Sequence, residues 1–240
     1  MENAVYVGLS QQMALKRHLD IVANNIANMN TTAFKVVRPL FQEYLQEDPF
    51  KDDIAFVQDY GVYHDRTEGS FTDTGRPLDL AISGDGYFSI ETDKGIRYTR
   101  NGNFKFDPEG YVVSAAGDYL VDDRNGRIQV DLTNPNIEIS SDGTVNLGLE
   151  DTVKLEIVRF DNEQLLKQEG NGYYNANGVQ PLPSENARVR QGSLEGSNVT
   201  PVLEMTTMIE VMRTYQAAQK LLDAEHEMQM KSIEELPAMN

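Results

Sequence analysis

The chain has 240 residues, 40% of them hydrophobic and 25% charged, which suits one large domain or two modest ones. Its 38 acidic and 21 basic residues leave a net charge of −17, which repels phosphate backbones and disfavours nucleic-acid binding. The absence of cysteine removes disulfides, thiolate zinc sites and cysteine nucleophiles together.

The first zone is residues 1–35. Met1-Glu2-Asn3 is acidic where a secretory signal is basic, and no apolar core precedes Lys16-Arg17, so cleaved general secretion is not expected. The longest unbroken apolar runs, Ala4–Val7 and Ile54–Val57, are four residues each. A membrane-spanning helix needs about 20, so no membrane insertion is expected. Leu15, Leu19, Val22, Ile26 and Met29 recur at alternating spacings of four and three, the heptad stripe of a helix that packs on another helix. A helix over 3–30 would be about 40 Å long and cannot bury that stripe by itself. Asn24, Asn25, Asn28 and Asn30 crowd its end. Asparagine is a mediocre helix former because its amide competes for backbone hydrogen bonds. Asn28 and Asn30 fit a fraying end; Asn24 and Asn25 are expected to be buried amides that donate and accept across a helix–helix contact and fix register between subunits.

Residues 36–74 and 181–198, with Pro39, Pro49, Pro181 and Pro183, read as connecting segments. Between them, 75–180 reads as a β domain. Asp85-Gly86, Asn101-Gly102, Asn125-Gly126, Asp142-Gly143, Asn171-Gly172 and Asn177-Gly178 supply tight-turn residues. Short β-prone runs lie among them: Tyr87–Glu91, Ile96–Thr99, Phe104–Phe106, Tyr111–Val113, Tyr119–Val121, Arg127–Val130 and Val153–Phe160. The final zone opens at Thr200-Pro201, an N-cap and first-turn proline. Met205, Met208, Met212, Tyr215 and Leu222 follow at helical spacing, with Ile209 and Val211 widening the stripe. The expected fold is therefore α+β: an antiparallel all-β central domain inserted between N- and C-terminal helices that pair into a coiled-coil-like assembly domain (1–35 with 199–240).

Chemical constellations are weak. The three histidines, His18, His64 and His226, fall one per zone with no metal-ligand spacing. Gly84-Asp85-Gly86 lacks the third glycine and the following helix of a dinucleotide loop. Asp79 and Asp85 form a tempting carboxylate pair, but a turn-flanking aspartate more simply orders its turn. Asp122-Asp123-Arg124-Asn125-Gly126 lacks the ligand spacing of a calcium loop. No catalytic residue, metal or cofactor is expected.

The motifs themselves point elsewhere. Ala23-Asn24-Asn25-Ile26-Ala27-Asn28-Met29-Asn30-Thr31-Thr32-Ala33-Phe34-Lys35 resembles the N-terminal signature of the bacterial flagellar rod and hook proteins. Thr74-Gly75-Arg76-Pro77-Leu78-Asp79-Leu80-Ala81-Ile82-Ser83-Gly84-Asp85-Gly86-Tyr87-Phe88 and Tyr98-Thr99-Arg100-Asn101-Gly102-Asn103-Phe104 resemble their central motifs. Gly192-Ser193-Leu194-Glu195-Gly196-Ser197-Asn198-Val199 resembles the motif before their C-terminal helix. The resemblance implies a structural subunit of the basal-body rod, proximal rod first and distal rod as the alternative. It implies export through the flagellar type III apparatus without cleavage, a periplasmic location, and partners among other rod proteins and copies of itself. Where the family usually has glycine this chain has Ala33; at a positive φ, alanine costs about 1 kcal/mol relative to glycine. The expected assembly residues are Leu15, Leu19, Val22, Asn24, Asn25, Ile26, Asn28, Met29, Met205, Met208, Ile209, Met212, Tyr215 and Leu222. A secreted polysaccharide-binding or peptidoglycan-cleaving β module is the competing class; it would need exposed aromatic side chains or a carboxylate pair.

Overall fold

The computed structural model describes residues 2–46, 54–130, 137–146 and 152–234. Helix α1 spans Glu2–Ala27 and α2 spans Pro201–Glu234. Between them lie β1 (Val37–Gln46), β2 (Ile54–His64), β3 (Phe71–Asp73), β4 (Leu80–Ser83), β5 (Tyr87–Thr92), β6 (Gly95–Thr99), β7 (Phe104–Phe106), β8 (Val112–Ser114) and β9 (Tyr119–Leu120). Then come β10 (Glu138–Ile139), β11 (Thr144–Asn146), β12 (Thr152–Lys154), β13 (Ile157–Arg159), β14 (Lys167–Gln168), β15 (Tyr174–Asn175), β16 (Leu182–Pro183), β17 (Arg188–Gln191) and β18 (Ser193–Glu195). Two terminal helices thus flank an antiparallel β-rich middle, the α+β arrangement expected.

The chain divides into two compact units. The terminal unit contains α1, the β1–β2 hairpin and α2. The β unit contains 30–35 and 66–198. Within the segment expected as a connection, 37–46 and 54–64 pair as two long antiparallel strands, from Val37 opposite His64 to Gln46 opposite Ile54, with a bulge at Leu40/Phe41. A free two-stranded hairpin is marginal in water. This one gains support from α1: the His18 ring lies tilted against Phe41, 6.1 Å between centroids, and Arg17 lies 3.5 Å from Asp59.

The β unit is closed by strands distant in sequence. Strand β4 pairs with β17 and β3 with β18. A larger sheet runs β14-β15-β6-β5-β9-β8-β7, with β13 pairing both β5 and β16. Leu80, Ile82, Phe88, Ile90, Leu120 and Val145 are among the buried side chains of its main core. The run expected as one strand over Val153–Phe160 is split: Leu155 N–H bonds Gly143 O, Glu156 N–H bonds Val121 O, and β12 and β13 join different sheets. Asn125, Asn171 and Asn177 take the positive φ expected of turn residues.

Not every glycine pair acts as a turn. Asn101-Gly102 is no hairpin tip. Its glycine lets two backbones meet, since a Cβ there would sit 1.7 Å from the Leu80 carbonyl oxygen. Leu80 N–H donates to Gly102 O at 2.9 Å across the same approach.

Candidate assembly interface

Helix α2 begins as its sequence dictates. Pro201 takes the first helical position, and the Thr200 carbonyl accepts the Glu204 N–H at 3.1 Å. From there two apolar stripes run along the helix. Met208, Val211, Tyr215, Ala218 and Leu222 are buried or half-buried. They alternate steps of three and four residues, the spacing of a packed helix seam. Leu222 lies against Gly8 of α1, where an added Cβ would come within 2.6 Å of it, and Gln12 donates to Gln219. With Asn25 bonded to Glu204 at the other end, the contacts run in opposite sequence order, so α1 and α2 are antiparallel.

The second stripe is uncovered. Val202, Met205, Ile209 and Met212 recur at three- and four-residue steps and are 73%, 47%, 53% and 46% exposed. Tyr6, Leu9 and Met13 make a similar exposed line on α1, and Leu40, Tyr44, Tyr60 and Tyr63 stand out of the hairpin. Among the described residues, every exposed large hydrophobic side chain except Leu165 belongs to the terminal unit. Monomeric soluble proteins rarely leave contiguous apolar surface of this kind uncovered.

The expected interface residues therefore separate. Val22 and Asn25 are buried inside the chain; Leu15, Leu19, Ile26, Asn28, Met29, Met208, Tyr215 and Leu222 are half-buried; Asn24, Met205, Ile209 and Met212 are exposed. Asn25 makes a full set of partners within its own chain. Its amide Nδ2 donates to Val37 O at 2.9 Å and to Glu204 Oε2 at 3.1 Å, and its Oδ1 accepts from Val37 N–H at 3.0 Å. The side chain thus acts as a strand neighbour for the start of β1. Glu204 is fully buried and its other oxygen meets Arg38 Nη1 at 2.8 Å. Spacing alone missed Glu204 because a carboxylate sits where the seam calls for an apolar residue; its position four residues before Met208 was the available signal. Nearby, burial lowers the His18 pKa below its ordinary value, the Arg38 charge adds to that, and Glu204 opposes it.

The β unit holds its own charge clusters. Asp79 is fully buried, yet it does not order a turn by accepting backbone N–H groups. It takes the Arg76 guanidinium at 2.8 and 2.9 Å and the Thr74 hydroxyl at 2.6 Å. Asp85 is exposed, and its main-chain carbonyl receives the Ser184 hydroxyl. One aspartate is locked in an ion pair and the other lies open to solvent, so the two are not matched as an acid–base pair.

Ala33 has φ 57°, in the left-handed region where a Cβ is strained, and its N–H bonds Glu195 O at 2.8 Å. Ala33→Gly is expected to stabilise the β unit by about 1 kcal/mol, read as a rise in the thermal midpoint of the purified chain.

A closed β body joined to a helical unit with an open apolar stripe defines a structural subunit of an assembly. Three family descriptions match in chain order: "Flagella basal body rod protein" over residues 5–35, "Flagellar hook protein FlgE/F/G D1 domain" over 81–147, and "Flagellar basal body rod FlgEFG protein C-terminal" over 190–235. The chain is 41% identical over 246 aligned positions to the flagellar basal-body rod protein FlgF of Caulobacter vibrioides, covering all of both proteins. It is 33% identical to FlgF of Mesorhizobium japonicum, with 92% of each covered. It is 31% identical to the rod protein FlgG of Bacillus subtilis, with 95% of this chain and 96% of that protein covered. The chain belongs to the flagellar basal-body rod protein family, on the FlgF side of it, and is a structural rod protein rather than an enzyme.

Proposed function

We propose that this chain is a proximal-rod subunit that self-assembles through its terminal helices and passes torque from motor to hook. The observation that carries the proposal is the open stripe Val202, Met205, Ile209 and Met212, since a second apolar stripe on a helix already packed by its first has no use in a monomer. In the assembly, neighbouring copies and other rod proteins cover this stripe and the exposed lines of α1 and the hairpin, and the terminal helices pack in coiled-coil-like seams. The half-buried residues Leu15, Leu19, Ile26, Met29, Met208, Tyr215 and Leu222 set the α1–α2 platform that presents those faces; Asn25 fixes its register. Export proceeds through the flagellar type III apparatus to the periplasmic space without cleavage, consistent with a chain free of cysteine. The FlgF relationship at 41% identity against 31% for FlgG supports a proximal position over a distal one.

The absence of native cysteine makes the test direct. An Ile209→Cys variant is expected to react readily with a thiol reagent as purified monomer and to be protected in isolated basal bodies. A thiol equally reactive in intact basal bodies would overturn the proposed interface.

A further inference from the structure

We infer that Glu195 is a clamp that binds together the three segments by which the chain enters and leaves the β unit, and that these segments are released together. They are residues 30–35, the start of 66–198, and its end. Each meets the same carboxylate or its backbone. Glu195 Oε1 accepts from Lys35 Nζ at 2.5 Å, from the first segment, and from Gly69 N–H at 3.1 Å, from the second. Its main-chain oxygen accepts from Ala33 N–H at 2.8 Å.

The remaining bonds close the ring. Lys35 Nζ also donates to Thr67 O at 2.8 Å; Asn198 N–H donates to Phe34 O at 3.3 Å, and its amide donates to Thr67 O at 3.0 Å. Gly196 N–H donates to Ser70 O at 2.8 Å. Arg100 rivets the ring to the sheet. Its Nε meets Glu195 Oε2 at 2.9 Å, while the rest of the guanidinium donates to the carbonyls of Ile82, Gly84 and Gly86 at 2.9 to 3.1 Å.

Glu195 is 1% exposed and Lys35 6% exposed, so water cannot take over for a lost partner. Burial lowers the Lys35 pKa, with Glu195 opposing it. Burial pushes Glu195 up, but Arg100 and Lys35 together hold it below the usual carboxylate range. Removing Lys35 leaves Glu195 Oε1 and Thr67 O without their shared buried donor and the carboxylate held by Arg100 alone, while removing the Glu195 charge leaves Lys35 and Arg100 with only Glu68, 3.8 Å from Arg100, as a nearby anion. That interdependence is what makes release concerted. In the rod it would hold the exits from the β unit stiff under load. Only this mechanical meaning rests on the proposed function.

Amide-resolved hydrogen exchange on the full-length chain tests the clamp. In Lys35→Met, the amides of Ala33, Gly69, Gly196 and Asn198 are expected to exchange together, faster than the parent by about tenfold or more. The core amides of Ser89 and Val121 are expected to stay within about twofold of the parent. Acceleration of Ala33 alone, no acceleration, or equal acceleration of the core amides would each overturn the clamp. If Lys35→Met does not fold, Glu195→Gln, which keeps shape and one acceptor, is read by the same amides, and loss of fold in both variants also overturns it. A second arm separates the mechanical meaning: Glu195→Gln cells are expected to swim in dilute medium and to stall as viscosity rises, more than parent cells do. Parent-like swimming at every viscosity alongside a positive exchange result would leave the clamp standing and overturn its role under load.

Discussion

Met212→Asp is expected to abolish rod assembly and swimming while the purified monomer melts within about 0.5 kcal/mol of the parent. Met212 is 46% exposed on the outer stripe of α2, so the isolated chain loses little buried contact there. In an assembled seam the same carboxylate is taken out of water beside apolar neighbours, at a cost of several kcal/mol unless it is neutralised. Every copy repeats that cost. Val22→Asp makes the contrast, because Val22 is 1% exposed inside its own chain and the change should unfold the terminal unit before assembly begins. Thermal melts of the monomers beside a swimming assay and basal-body imaging separate the two effects. Normal swimming of the Met212→Asp strain would remove the outer stripe from the interface.

Gly102→Ala is expected to destabilise the β unit by about 3 kcal/mol or more and to lower its melting temperature by roughly 10 °C. The added methyl would lie 1.7 Å from Leu80 O and 2.6 Å from Leu80 C. These are backbone atoms of a residue 1% exposed, so no flexible side-chain end can move aside. Relief requires the two backbones to part. That would break the Leu80 N–H to Gly102 O bond and disturb the Asp79–Asn103 bridge beside it. Gly117→Ala, at an open site with φ 97°, provides a control in which only backbone strain is added. A melt of Gly102→Ala matching that control would show that the close approach is not rigid.

Much of this protein is determined by local sequence. The 4-3 apolar spacing, the Thr200-Pro201 opening and the Asn-Gly and Asp-Gly punctuation depend on short-range backbone and side-chain preferences, so both helices and most of the strands were legible. The four motifs were legible too, as a resemblance, though not the work their members do. Whether Met205, Ile209 and Met212 face the chain or solvent could not be read from spacing. Two helical stripes interleave at the same period, and only packing against α1 decides which one is spent inside. The pairing of β1 with β2 was hidden by the prolines and charges of this stretch, since a two-stranded ribbon draws its stability from the helix beneath it. Lys35, Arg100 and Glu195 lie far apart in sequence and carry no local signal of pairing. Tertiary closure brings them into one buried cluster, where the low dielectric makes each depend on the others.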